Sequence, residues 1–203
     1  MKLAMLGGSG RTGRLIVQQA LEAGHQVRVL VRTPDTFTLT SKRLEVLKGD
    51  VTDASSVRAL VEGCDVVVSA LGPTPTRKDV CGTAAEQVIA AGVKRYVAIS
   101  GAALDVPGDQ KDFGGKVVSF LVRMLTPALF QDKVREHALL SVSSVGWTLV
   151  RPPRLTDGPG TGKPRSSLER VLSTSISRVD LATFALKCAN DATFVGRAPF
   201  VSK

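Results

Sequence analysis

Lys2-Leu-Ala-Met-Leu6 runs directly into Gly7-Gly-Ser-Gly-Arg-Thr-Gly13, and a helical pattern of Leu15, Ile16, Gln19 and Ala20 begins at once behind it. A short apolar strand that stops at a turn almost free of side chains and restarts as a helix opens a strand–helix–strand unit. Gly8, Gly10 and Gly13 fit G-x-G-x-x-G, and Gly7, Gly10 and Gly13 fit the related spacing of two residues between glycines. Without side chains the turn lets the backbone approach an anion closely. The N–H groups and positive dipole end of the following helix then hold the negative charge. Gly7, Gly8, Ser9, Gly10, Arg11, Thr12 and Gly13 are therefore the expected socket for a dinucleotide pyrophosphate.

The end of the next strand indicates which dinucleotide. Val27-Arg-Val-Leu-Val31 reads as a second buried strand. In an NAD-binding unit an acidic residue stands at its end, about 20 residues past the glycines, and accepts the ribose hydroxyls. Arg32 holds that place, and Asp35 lies further into the loop beyond Pro34. A guanidinium cannot accept a hydroxyl proton, but it pairs bidentately with a phosphate. The expected cofactor is NADP, with Arg32 on the 2′-phosphate and Arg11 as a second positive charge.

Beyond that point strand and helix signals alternate, as a parallel sheet covered on both faces requires. Strands are expected at residues 44–48, Asp65–Ala70, Lys94–Ser100 and Gly146–Val150. Asp65-Val-Val-Val-Ser-Ala70 is nearly continuous in apolar residues, as a doubly buried strand should be. Helices are expected from Thr52-Asp53 to about residue 62, at 79–91 with Gly92 as the stop, somewhere in 116–141 with Pro127 disturbing it, and from Asp180 to Cys188. Leu71-Gly72-Pro73 ends the fourth strand, and Pro199-Phe-Val201 reads as an edge strand. Residues 101–115 and 151–168 read as loops. The fold class is thus α/β, a doubly wound parallel sheet in one domain over residues 1–203, with substrate loops at about 101–131 and 151–168.

Charge and cysteine content bound the partners. The chain carries 27 Lys and Arg against 18 Asp and Glu, a net charge of +9. There is no block of like charges and no aromatic–basic interleaving, so anionic small ligands are expected rather than nucleic acid. No apolar run approaches the ~20 residues of a membrane span, and the first residues enter a strand directly, so neither a membrane partner nor a secretory leader is expected. Three cysteines, Cys64, Cys81 and Cys188, form no C-x-x-C pair. They suit a reducing cytoplasm, free thiols and no metal. Cys81 sits at a loop-to-helix entry, where either a favoured thiolate or an inert buried thiol is compatible with the sequence. Without coiled-coil heptads, a monomer or weak homodimer is expected.

Ligands in such sheets lie beyond the carboxyl ends of the strands. The remaining candidates are the residues just after each strand: Asp50, Val51, Leu71, Gly72, Ser100, Gly101, Pro152 and Pro153. Asp50 either bonds the adenine edge or caps the following helix, while Val51 packs on the ring face. Leu104, Phe113, Phe130 and Pro153 are candidate platforms for a planar acceptor. Arg154 and Arg165 are candidate partners for its acidic groups, and His137 falls on a helix.

These segments carry a resemblance. Gly7–Gly13, Val29-Leu-Val-Arg32, Gly49-Asp-Val51, Ser69-Ala-Leu-Gly72, Gly92–Ser100, Trp147-Thr-Leu-Val-Arg-Pro-Pro153 and Ile176-Ser-Arg-Val-Asp180 resemble the atypical short-chain dehydrogenase/reductase group. Within it the chain is most similar to the biliverdin reductase B/flavin reductase family and its NAD(P)-binding, NmrA-like relatives. The resemblance spans nearly the whole chain and implies a Rossmann-like fold without a separate substrate domain. It places Lys133 at the family lysine and Ser100 near the catalytic serine or threonine. Two departures matter: Leu129 stands where the Tyr-x-x-x-Lys tyrosine belongs, and Gly101 stands where the flavin reductases tend to carry a second serine.

The only tyrosine, Tyr96, lies inside the fifth strand. A ketone reductase needs an acid to protonate the alkoxide in place, whereas hydride transfer to a flavin or bilin relies mainly on positioning. The resemblance therefore implies an NADPH-dependent reductase acting on a free flavin or bilin-like acceptor, with Ser100 and Lys133 as candidate catalytic groups. The alternative is an NADP(H)-sensing regulatory protein of the NmrA type without turnover. An isomerase or epimerase would need the missing acid.

Overall fold

A computed structural model describes residues 1–72, 74 and 76–203; Pro73, expected to end the fourth strand, lies outside the described residues. Six parallel strands form the central sheet: β1 (Lys2–Leu6), β2 (Gln26–Val31), β3 (Leu44–Lys48), β4 (Val66–Ser69), β5 (Arg95–Ile99) and β6 (Gly146–Val150). Their order is β3-β2-β1-β4-β5-β6, so the chain reverses its direction of travel across the sheet between β1 and β4. Register is continuous, from Leu3 opposite Val27 and Val66 to Ile99 opposite Val150.

Both faces are covered, which is why these strands read as apolar runs rather than as alternations. On one face α1 (Arg11–Glu22) and α6 (Arg178–Asn190) pack over Leu3, Met5, Val29, Val68 and Val97. On the other, α2 (Ala54–Val61), α3 (Val80–Ala90) and α5 (Pro127–Ser141) pack over Ala4, Leu6, Val67, Tyr96 and Ala98. Alternate residues of one strand thus feed two separate cores. Some helix starts carry their own side-chain cap. Asp53 caps α2 by accepting from the Ser55 and Ser56 amides, and Ser177 caps α6 by accepting from Asp180 N.

Three expectations change in the second half. The helix expected in 116–141 is two helices, α4 (Phe113–Leu125) and α5, meeting at 108°. Pro127 occupies the first position of α5, where its missing N–H costs nothing, so it starts a helix instead of disturbing one. Because Asp112 caps α4 through Gly115 N, the loop after β5 ends at residue 112, earlier than expected. The segment 151–168 is not all loop: β7 (Arg154–Thr156) pairs in parallel with β9 (Ser175–Ser177), and β8 (Arg165–Ser167) pairs antiparallel with β10 (Phe200–Ser202). Strands of three residues such as β7, β8 and β9 carry no periodic signal, so only their partners reveal them. The expected edge strand at 199–201 is β10, shifted by one residue.

Candidate functional site

The glycine turn lies at the crossover between β1 and β4. Gly7 has φ of +75°, a conformation L side chains rarely adopt, and a Cβ there would meet the Ala70 carbonyl and Leu71 N at 2.8–2.9 Å. A Cβ on Gly13 would run into the Gly7 carbonyl oxygen. The turn closes through Gly10 N donating to Gly7 O at 3.1 Å. Gly10 is the N-cap of α1 and has no side chain to offer, so the first-turn N–H groups at Arg11, Thr12 and Gly13 have no capping partner. That is the donor set a pyrophosphate uses.

Beside the turn is a cleft of about 110 Å³, lined by Gly7, Ser9, Arg32, Val51, Gly72 and Arg77 among others. The fold therefore gathers the turn, the end of β2 and the ends of β3 and β4 into one concavity, with Leu71 in its wall. Arg32 is exposed at the rim. Of the two roles the sequence left open for Asp50, the structure removes the helix cap. The helix cap is Asp53, and Asp50 accepts from Thr52 N and Oγ1 and from both terminal nitrogens of Arg77, at 2.7 and 2.9 Å. Burial pushes its carboxyl up, but Arg77 and Thr52 outweigh this and bring the pKa to about 2. The sequence reading missed Arg77; its only signal was the cation pair Arg77-Lys78 in the loop after β4. Arg11 pairs at the surface with Asp157, which also takes Arg178.

At the end of β5, Ser100 N donates to Val150 O at 2.8 Å, while its hydroxyl is buried with no partner among the described residues. An orphaned hydroxyl at the carboxyl end of a central strand fits a group awaiting a ligand. Gly101 faces open space, so nothing in the packing demands glycine there. Ala102 N bonds Pro152 O at 2.9 Å and fixes that loop to the end of β6, with Pro153 half-buried beyond it.

Lys133 is not solvated. Its ammonium lies 2.7 Å from Ile99 O, 2.9 Å from Glu136 Oε2 and 3.5 Å from Leu71 O, so it ties the ends of β4 and β5 together. Tyr96 is fully buried and donates its hydroxyl to Glu136 Oε1 at 3.2 Å. Burial pulls the Lys133 ammonium down, but the charge of Glu136 more than reverses this and holds it protonated. Burial pushes the Glu136 carboxyl up, and Lys133 and Tyr96 draw it only part of the way back. One turn earlier, Asp132 accepts from Cys81 N and Gly82 N at 2.9 and 2.7 Å and caps α3 from across the helix pair. Asp132 and Glu136 were not legible as site-forming residues. Their spacing with Lys133 reads as an exposed helix face, and only the packing of α5 on α3 buries it.

The expected acceptor platform does not assemble. Leu104 is sealed in the core at 3% exposure, Phe113 stands 83% exposed on α4, and Phe130 lies beneath the Arg123 guanidinium, 4.8 Å from its centre. Arg165 spends its guanidinium on the Lys203 carbonyl, whereas Arg154 is exposed on β7. His137 packs edge-on against Trp147. Arg151, completely buried, holds the loop at 101–111 in place through Asp109 at 2.6 and 2.7 Å and the Leu104 carbonyl.

The cysteines take no part. Burial pushes the Cys81 and Cys188 thiols up to about 12, so Cys81 follows the inert of its two readings. Both are expected to resist alkylation near neutral pH until the protein unfolds, with Cys64 reacting first. Mass-mapped labelling with and without denaturant checks the order, and rapid native labelling of Cys81 would contradict the burial argument.

A model of the NAD(P)H-binding family matches residues 7–192. A UPF0659 protein of Saccharomyces cerevisiae is 26% identical over 206 residues, covering 92% of this chain and 86% of its own. Among solved structures, ChuY, an anaerobilin reductase from Escherichia coli O157:H7, superposes with a TM-score of 0.83 at 19% identity, covering 100% of this chain and 97% of that one. A short-chain dehydrogenase/reductase from Veillonella parvula in complex with NADP superposes with a TM-score of 0.79 at 15% identity, covering 100% and 94%.

Proposed function

The chain belongs to the NAD(P)H-binding family, and from that premise we propose that it is an NADPH-dependent reductase that passes hydride to a free planar acceptor, a flavin or a bilin-like tetrapyrrole. One observation carries the choice of chemistry: the single tyrosine is sealed in the core against Glu136, so no phenol reaches the ends of the strands where substrate would lie. A carbonyl reductase without an acid leaves its alkoxide unprotonated. A delocalised acceptor makes no such demand, because its product anion takes a proton from water.

The nicotinamide, when bound, supplies the hydride. This chain's contribution is placement. The N–H groups at Arg11, Thr12 and Gly13 hold the pyrophosphate, Arg32 holds the 2′-phosphate, and Val51 and Gly72 border the adenosine cleft. Ser100 offers its free hydroxyl at the end of β5. Lys133 acts behind the site, clamping the carbonyls of Ile99 and Leu71. The anaerobilin reductase among the structural neighbours is consistent with a tetrapyrrole acceptor.

A steady-state assay tests this: purified protein, NADPH or NADH, and excess FMN or biliverdin, following loss of nicotinamide absorbance. Turnover with an NADPH preference supports the reading. A second reading, NADP(H) sensing without turnover, is favoured by the engagement of Lys133, which leaves Ser100 as the one orphaned hydroxyl at the mouth of β5. Tight NADPH binding by calorimetry without turnover on either acceptor would select it. In both readings Arg32→Asp is expected to weaken NADPH by about ten- to hundredfold, since a hydrogen bond to a charged group contributes ~1.5–3 kcal/mol. NADH should change little. Equal losses for the two would remove Arg32 from the 2′-phosphate.

A further inference from the structure

Helix α4 is built inside out. Phe113, Val117, Phe120, Leu121 and Met124 recur at helical spacing on one stripe, which Val118 and Leu125 widen. A stripe of that kind normally faces a core. Here Leu125 is 78% exposed, Met124 65%, Val118 60% and Phe120 59%, and the only buried residue of the helix is Ser119. The orientation is held from beneath. Ser119 Oγ accepts the Lys111 ammonium at 3.0 Å, and Arg123 pairs with Asp105 and lies over Phe130. Rolling the apolar stripe inward would break each of these contacts and bury the polar edge. The stripe is therefore held toward whatever lies outside.

Its charge says what that is. Residues 113–131 contain Lys116 and Arg123 and no carboxylate. The acidic side chains just before the helix are engaged: Asp112 caps it, Asp105 pairs with Lys111 and Arg123, and Asp109 pairs with Arg151. Gln110 N bonds Glu169 O at 2.8 Å, which brings alongside a segment with exposed Leu168 and Leu172, the exposed cation Arg170 and the exposed carboxylate Glu169. Apolar side chains edged by cations, on a chain of net charge +9, complement an anionic bilayer. They suit a second copy poorly, because a two-fold pairing of this face sets like charges against each other. The 13 residues of α4 fall short of the ~20 needed to span, and the 108° turn at Thr126 carries α5 back into the body. This leaves α4 along the surface.

We infer that α4 is an interfacial helix that lays its outward face on anionic lipid, contrary to the expectation of no membrane partner. The inference does not depend on which acceptor the enzyme reduces. Flotation of the 203-residue chain with vesicles tests it, using phosphatidylcholine alone or phosphatidylcholine with one third phosphatidylglycerol. Binding is expected only to the second, released by molar salt. The Leu121→Glu/Met124→Glu variant should bind about tenfold or more weakly, with circular dichroism and NADPH affinity unchanged. Failure to bind either vesicle, or equal binding to both, overturns the proposal. So does a wild-type dimer in solution that the variant dissociates, which would assign the face to a second copy.

Discussion

Gly10→Val is expected to reduce dinucleotide affinity by at least about hundredfold and leave the melting temperature within a few degrees of the parent. The two effects separate because of where Gly10 sits. Its backbone, at φ −73° and ψ 163°, is extended and accepts a β-branched residue without strain, and a Cβ there would meet only the Gly7 carbonyl oxygen at 3.4 Å. The added isopropyl group stands at the cap position, before the N–H groups that a pyrophosphate needs. Losing two charge-assisted hydrogen bonds at ~1.5–3 kcal/mol each accounts for the fall, since 1.4 kcal/mol is tenfold. Gly13→Ala is the contrasting change, for its Cβ would collide with the Gly7 carbonyl, so stability should fall together with binding. Calorimetric titration with NADPH and a thermal melt on the same samples resolve the pair. Undiminished affinity in Gly10→Val would refute the cradle.

Glu136→Leu is expected to cost about 3–5 kcal/mol, because Lys133 would remain a buried, unpaired cation. For a domain of this size that lowers the melting temperature by roughly 10 °C. Lys133→Met/Glu136→Leu should recover most of the loss, since replacing both members of a buried pair with apolar residues is often neutral. The double variant should still bind NADPH. A double variant as unstable as the single one would show that the pair is held by more than its own charges, with the Tyr96 hydroxyl the first suspect. The pH dependence has a defined sign. Lys133 has a raised folded pKa, so its contribution is complete below the ordinary lysine value of 10.5 and disappears only as pH rises through the folded value. Alkaline unfolding below that range would have another cause.

Much of this molecule was readable before it folded. The apolar runs at Lys2–Leu6 and Val66–Ser69 identify themselves because a strand buried on both faces must be apolar throughout. The glycine spacing identifies the cradle because close backbone approach admits no other residue at Gly7 and Gly13. Arg32 falls at a strand end whose distance from the glycines is fixed by one helix and one turn. Such signals are local: each follows from a residue's own geometry or from neighbours a few positions away. What escaped was set by partners distant in the chain. Lys133, Glu136 and Tyr96 form one buried network across 40 positions, Arg151 meets Asp109 across 42, and Arg77 meets Asp50 across 27. A charged residue's sequence neighbours do not record whether its head will meet water or a buried counter-ion. The inverted face of α4 belongs to the same class. Its periodicity predicts a helix with one apolar side, and only the contacts of Ser119 and Arg123 decide that this side points out. Local geometry thus set the fold and the cofactor cradle, while burial, charge pairing and the outward face were decided when distant elements packed.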